Sequence, residues 1–109
     1  MSSYENNMGN SEFLFLVFTK MTMKLENIIK LMKKKKNTYL ETKEIFETKS
    51  KMIEVFNQLS LGTNSSELSN LYLYLSSLLS TTDIKNIETV VEFCKNSKKI
   101  EDKKETNKL

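Results

Sequence analysis

The 109 residues suffice for one small domain, and the net charge of +3 comes wholly from Lys, since Arg and His are absent. Without His the commonest general base is missing, and with it any Ser-His or Cys-His nucleophile pair and any Cys/His metal site. The composition therefore argues against an enzyme, gives no catalytic residues and implies no metal or cofactor.

Pro is absent and Gly is confined to Gly9 and Gly62, so long helices meet few breakers. Period-two alternation is nearly missing, and an all-α fold follows. Residues 1–10 are polar apart from Tyr4 and Met8 and read as a flexible N-terminal arm. Helix one is expected from near Ser11, with Asn10 or Ser11 as N-cap and Glu12 in its first turn. Its stripe is Leu14, Val17, Phe18, Met21, Leu25, Ile28 and Met32, widened by Phe13, Phe15, Leu16 and Ile29. The first two turns are apolar nearly all round, more than one buried face needs. The helix is expected to stop within Lys33–Asn37, where like charges repel.

Helix two is expected from about Thr38 to Leu61, closed by Gly62, with Leu40, Ile45, Phe46, Met52, Ile53, Val55, Phe56 and Leu59 inward. Charged and Thr residues between Glu41 and Lys51 thin its stripe and suggest a bend. Helix three, about Ser65 to Ser80, has Leu68, Leu71, Tyr72, Leu75, Leu78 and Leu79 at helical spacing. Asn64 with Glu67 reads as a weak capping box before it. Asp83 then opens helix four, about Ile84 to Lys99, with Ile84, Ile87, Val90, Val91 and Cys94 inward and Phe93 at a boundary. Residues 101–109 carry no core pattern and are expected to be disordered. The domain therefore spans residues 11–100, and the short connections predict an antiparallel up-down-up-down four-helix bundle.

One cysteine, Cys94, cannot form an internal disulfide and reads as a small core residue in a reducing compartment. A spanning helix needs roughly 20 apolar residues; the run Phe13–Phe18 is far shorter, so a soluble cytoplasmic chain without membrane insertion is expected. Lys33 to Lys36 read either as the solvated, dipole-favoured end of helix one or as a site for nucleic acid or an anionic surface. The lack of Arg and of strand-borne aromatics weighs against nucleic acid.

The chain resembles the flagellin export chaperone family (FliS-like). Family members begin with a polar arm bearing a tyrosine, matched here by Tyr4. Their first helix reads E-L-L-x-M-L-Y-D-G; Glu12, Phe13, Leu14, Phe15, Leu16, Val17 and Phe18 follow in register, with Thr19 and Lys20 replacing Asp-Gly. Leu71, Tyr72, Leu73, Tyr74, Leu75 and Leu79 match a later family segment, and Asp83 to Asn86 resemble the loop after it. The typical C-terminal tryptophan is missing.

The resemblance implies binding of the disordered C-terminal segment of flagellin, which would block premature polymerisation before export. It implies a groove of Phe15, Phe18, Tyr72 and Leu75, with Tyr4 as a movable cover, although each groove residue also reads as ordinary core. A small basic nucleic-acid-binding protein and a self-associating helical scaffold are the alternatives, and the chain is expected to be a monomer or homodimer.

Overall fold

The computed structural model describes the backbone of residues 11–108 and the side chains of residues 12–97. The expected arm, Tyr4 included, lies outside the described residues. Four helices follow in order: α1 (Ser11–Met32), α2 (Tyr39–Gly62), α3 (Ser66–Leu79) and α4 (Ile84–Lys108). Each packs on the next, and α4 returns to α1, which closes a ring of four around one core.

Contacts step in opposite senses along each neighbouring pair. Asn27 meets Glu44 while Lys34 meets Glu41; Ser60, Asn57 and Lys49 meet Ser69, Ser76 and Thr81 in turn. Tyr72 reaches Phe93 while Thr81 reaches Asn86, and Glu26 pairs with Lys95 while Lys33 pairs with Glu88. The expected all-α, up-down-up-down bundle is the architecture observed.

The helix ends are built by side chains. Asn37 Nδ2 donates to the Leu31 carbonyl at 2.8 Å and closes α1. Thr38 caps α2: its Oγ1 accepts from Glu41 N at 3.1 Å, and Glu41 Oε1 accepts from Thr38 N at 3.0 Å, a complete capping box. At α3 the cap is Ser65, whose Oγ accepts from Leu68 N at 3.1 Å, and not Asn64. Asp83 opens α4 by accepting from Lys85 N at 3.0 Å. The α4 backbone runs on to Lys108, past the expected end at Lys99. The added stretch is rich in Lys and Glu, which favour helix without needing a core face.

The core contains Met21, Leu25 and Ile28 from α1, Met52, Phe56 and Leu59 from α2, Tyr72, Leu75 and Leu79 from α3, and Ile87, Val90 and Cys94 from α4. At its centre one aromatic ring comes from each helix. Phe93 lies 5.6 Å from Phe18, 6.3 Å from Phe56 and 6.3 Å from Tyr72, edge-on in each case, and Phe56 lies 6.1 Å from Tyr72. Edge-to-face pairs at such distances contribute about 0.5–1.5 kcal/mol beyond their burial.

The α2–α3 seam is polar instead. The Ser60 hydroxyl donates to the Ser69 carbonyl and sits 2.7 Å from the Ser69 hydroxyl, and Ser76 Oγ donates to Asn57 Oδ1. Small residues there let the two backbones approach. Lys49 ends the seam: it is buried, and its ammonium donates to the Thr81 carbonyl at 2.5 Å, just past α3. Burial holds that ammonium below the usual lysine range, while the carbonyls at the end of α3 favour its charge.

Two residues expected inward in α2 are not. Leu40 and Phe46 are 72% and 60% exposed. Leu40 falls off the line of Ile45, Met52, Phe56 and Leu59. Phe46 is exposed because α3 is too short: its 14 residues reach ~21 Å against ~36 Å for the 24 of α2. The last α2–α3 bond is at Lys49, so Tyr39–Thr48 projects past the end of α3. No break interrupts α2 where its apolar stripe thins; the helix is continuous from Tyr39 to Gly62.

Phe93 is only half-buried, yet it joins all four helices. Phe93→Ala should cost about 3 kcal/mol in urea unfolding, the value of a fully buried Phe and not of a boundary one. The α2 cap gives a second expectation. The Lys34 ammonium, then the Thr38 amide, holds the Glu41 carboxyl down to about 2 from 4.5. The contribution of its charge is complete above pH 4.5 and is lost as pH falls toward 2. The stability gap between wild type and Glu41→Gln should therefore shrink through that window in acid titrations followed by circular dichroism.

Candidate functional site

The structure places the expected groove residues mostly in the core. Phe18 and Tyr72 belong to the four-ring cluster and are 3% and 5% exposed, and Leu75 is buried beside them. Phe15 is half-buried on α1, and its carbonyl accepts from Thr19 Oγ1 at 2.7 Å. Phe18 and Tyr72 are brought together through Phe93, but as packing between helices; they line no open trough with Phe15. Inward helical positions and client-facing positions look alike in a sequence where every apolar residue is large.

The surplus apolar surface lies elsewhere, at the end of the bundle where α1 begins and α2 stops. Phe13 and Val17 of α1 face Val55 and Leu59 of α2 across a trough of about 270 Å³, with Glu54 and Gln58 along one wall. A second hollow of about 250 Å³ adjoins it through Leu59 and is bounded by Leu14, Leu68, Tyr72 and the Gly62–Asn64 turn. Leu16, Leu61 and Leu68 stand exposed on the same end. Leu61 is 84% exposed, which no packing requirement of the bundle explains.

The cause is local. The first two turns of α1 carry Phe13, Leu14, Phe15, Leu16, Val17 and Phe18 in unbroken succession, so some must point away from any core. The excess was legible from that run; the trough's second wall, Val55 and Leu59, was read as core only. Leu59 is core and also lines both hollows.

A groove of about 870 Å³ between α1 and α4 has a different character. Glu26, Glu88 and Glu92 stand there among Lys30 and Lys95, and Lys95 Nζ meets Glu26 at 3.0 Å. The Glu26 carboxylate raises the Lys95 ammonium above the usual lysine range. Charges of both signs alternate on this solvated surface. Among the described residues no cluster of acids and Cys could hold a metal ion, and no helix is long and apolar enough to cross a membrane.

The opposite end is basic. Lys33, Lys34, Lys35 and Lys36 occupy the α1–α2 turn beside exposed Tyr39 and Leu40. The fold and its surfaces thus define a small all-α bundle with one apolar end and one basic end. No protein-family model, curated protein or solved structure matches the chain.

Core and surface roles separate under mutation. Tyr72→Ala should lower unfolding free energy by about 3–4 kcal/mol, whereas Leu16→Ser should change it by less than about 0.5 kcal/mol. Equal losses in guanidinium titrations would mean that Leu16 is packed and the trough is closed.

Proposed function

We propose that the protein is a non-catalytic helical binding protein that shelters an amphipathic segment of another chain at its apolar end. The C-terminal segment of flagellin is the client that the family-like pattern implies. The observation that carries the reading is the trough of Phe13, Val17, Val55 and Leu59, with Leu16 and Leu61 exposed on nearby turns of the same two helices. A client helix laid there would insert side chains at helical spacing between α1 and α2, the usual way an amphipathic helix meets a groove. Glu54 and Gln58 on the wall would meet its polar flank.

The contacts move relative to those the resemblance implies. Phe18, Tyr72 and Leu75 set the spacing of α1, α3 and α4 from within, and the client meets Phe13, Leu16, Val17 and Val55 instead. Phe15, half-buried on the same turns of α1, lies about 200° round the helix from Phe13 and does not line the trough. A client that is disordered before binding loses about 2–5 kcal/mol to ordering, so micromolar affinity is expected. That suits a chaperone that must release its cargo.

Calorimetry of the full chain against the flagellin C-terminal segment tests the reading. A dissociation constant of tens of micromolar or tighter is expected, weakened at least about tenfold (~1.4 kcal/mol) by Leu16→Glu with Leu61→Glu. Both positions are exposed, so thermal unfolding should stay near wild type. No heat at about 100 µM of each partner would end the flagellin assignment. A concentration-dependent dimer abolished by the same pair of changes would show instead that a second copy fills the trough.

A further inference from the structure

The basic end has a construction of its own. The turn that carries Lys33 to Lys36 is stitched in place: Asn37 donates to the Leu31 carbonyl of α1, Thr38 and Glu41 form the capping box, and Lys34 Nζ meets Glu41 at 2.5 Å. Lys33 turns aside to Glu88 at 3.6 Å. Lys35 and Lys36 are exposed, and neither has an ion-pair partner among the described residues. Two ammonium groups are therefore presented at the tip of a fixed turn.

Apolar groups accompany them. Tyr39 is 79% exposed and Leu40 stands exposed beside it in the first turn of α2. One and two turns further on, Lys43 and Phe46 continue the Tyr39 side of the helix, since positions i, i+4 and i+7 share a face. Phe46 borders a shallow hollow with Glu47, Ser50 and Lys51. This segment is the part of α2 that projects past the end of α3, so α3 leaves it uncovered, while α1 meets it through Glu41 and Glu44 on another side. The result is an amphipathic overhang with lysines at its root.

We propose that this end docks on the surface of an anionic phospholipid bilayer, with Lys35 and Lys36 against headgroup phosphates and Tyr39 and Leu40 entering the interfacial layer. A row of lysines next to exposed Tyr and Leu matches that layer in both charge and polarity. A nucleic-acid duplex would use the ammonium groups but has no place for Leu40 or Phe46, and the chain lacks the Arg forks that grip phosphate bidentately. The bundle lies on the bilayer and does not cross it. Its apolar end, at the far side, stays in water.

Vesicle flotation with the full chain tests this at about 100 mM salt, where charge screening is moderate. Vesicles of phosphatidylcholine with roughly one-third phosphatidylserine should carry the protein up, and pure phosphatidylcholine vesicles should not. Lys35→Glu with Lys36→Glu should weaken binding more than about twentyfold, since each lysine near such a surface contributes about fivefold. Tyr39→Ser with Leu40→Ser should weaken it severalfold with the charge unchanged. Lys20→Glu with Lys24→Glu, the same charge change on the exposed side of α1, is the control and should have little effect.

The proposal is overturned if phosphatidylserine vesicles fail to bind, or if the α1 control loses as much as the turn variant. It is also overturned if a DNA duplex binds at least as tightly and the Tyr39/Leu40 variant leaves that binding intact. Thermal unfolding of each variant, expected to match wild type at these exposed sites, separates lost docking from lost folding.

Discussion

Four rings hold this bundle together, one from each helix, and Phe93 touches the other three. Every helix is thereby tied to every other through a single side chain. That arrangement helps fix α3, the shortest helix, whose polar seam with α2 consists of hydroxyls, the Asn57 amide and one lysine. It also determines what remains for function. Phe18 is committed to the interior and Tyr72 reaches the surface only where it borders the smaller hollow, so any surface the protein offers is built mostly from residues the cluster does not need.

Two such surfaces exist, and unequal helix content creates both. At one end α1 carries more apolar residues than three neighbours can cover, and the remainder meets Val55 and Leu59 in an open trough. At the other end α3 stops beside Lys49, and the first turns of α2 project with Tyr39, Leu40 and Phe46 uncovered next to four lysines. Both proposals rest on this polarity. The middle of the molecule is conventional packing, and the chemistry that distinguishes it lies at the ends.

The helix order, the start of α4 at Asp83, and most of the core were legible in the sequence because each rests on short-range spacing. Phe18, Met21, Leu25 and Ile28 repeat at three or four residues and are buried as that spacing requires. Phe46 was misread because its burial depends on the length of another helix, which no local pattern in α2 encodes. The shift of the cap from Asn64 to Ser65 is of the same kind: adjacent polar residues are chemically equivalent, and backbone geometry selects one. Phe93 looked like a boundary residue because only the three rings contributed by other helices reveal its centrality. The candidate groove suffered most, since an inward aromatic and a client-facing aromatic obey the same periodicity.

The pairing of α1 with α4 joins the earliest and latest of the four helices. Their seam carries Phe18 against Phe93 and the two ion pairs Lys95–Glu26 and Lys33–Glu88. During translation α1 leaves the ribosome long before α4 exists, with its greasy first turns and its inward face both bare. The α2–α3 hairpin, joined by the short turn of residues 63–65, forms early by comparison, because nearby segments close cheaply. A nascent chain therefore passes through a stage in which α1 and the inner face of the hairpin both lack their α4 cover, exposed to whatever else the cell is making at that moment.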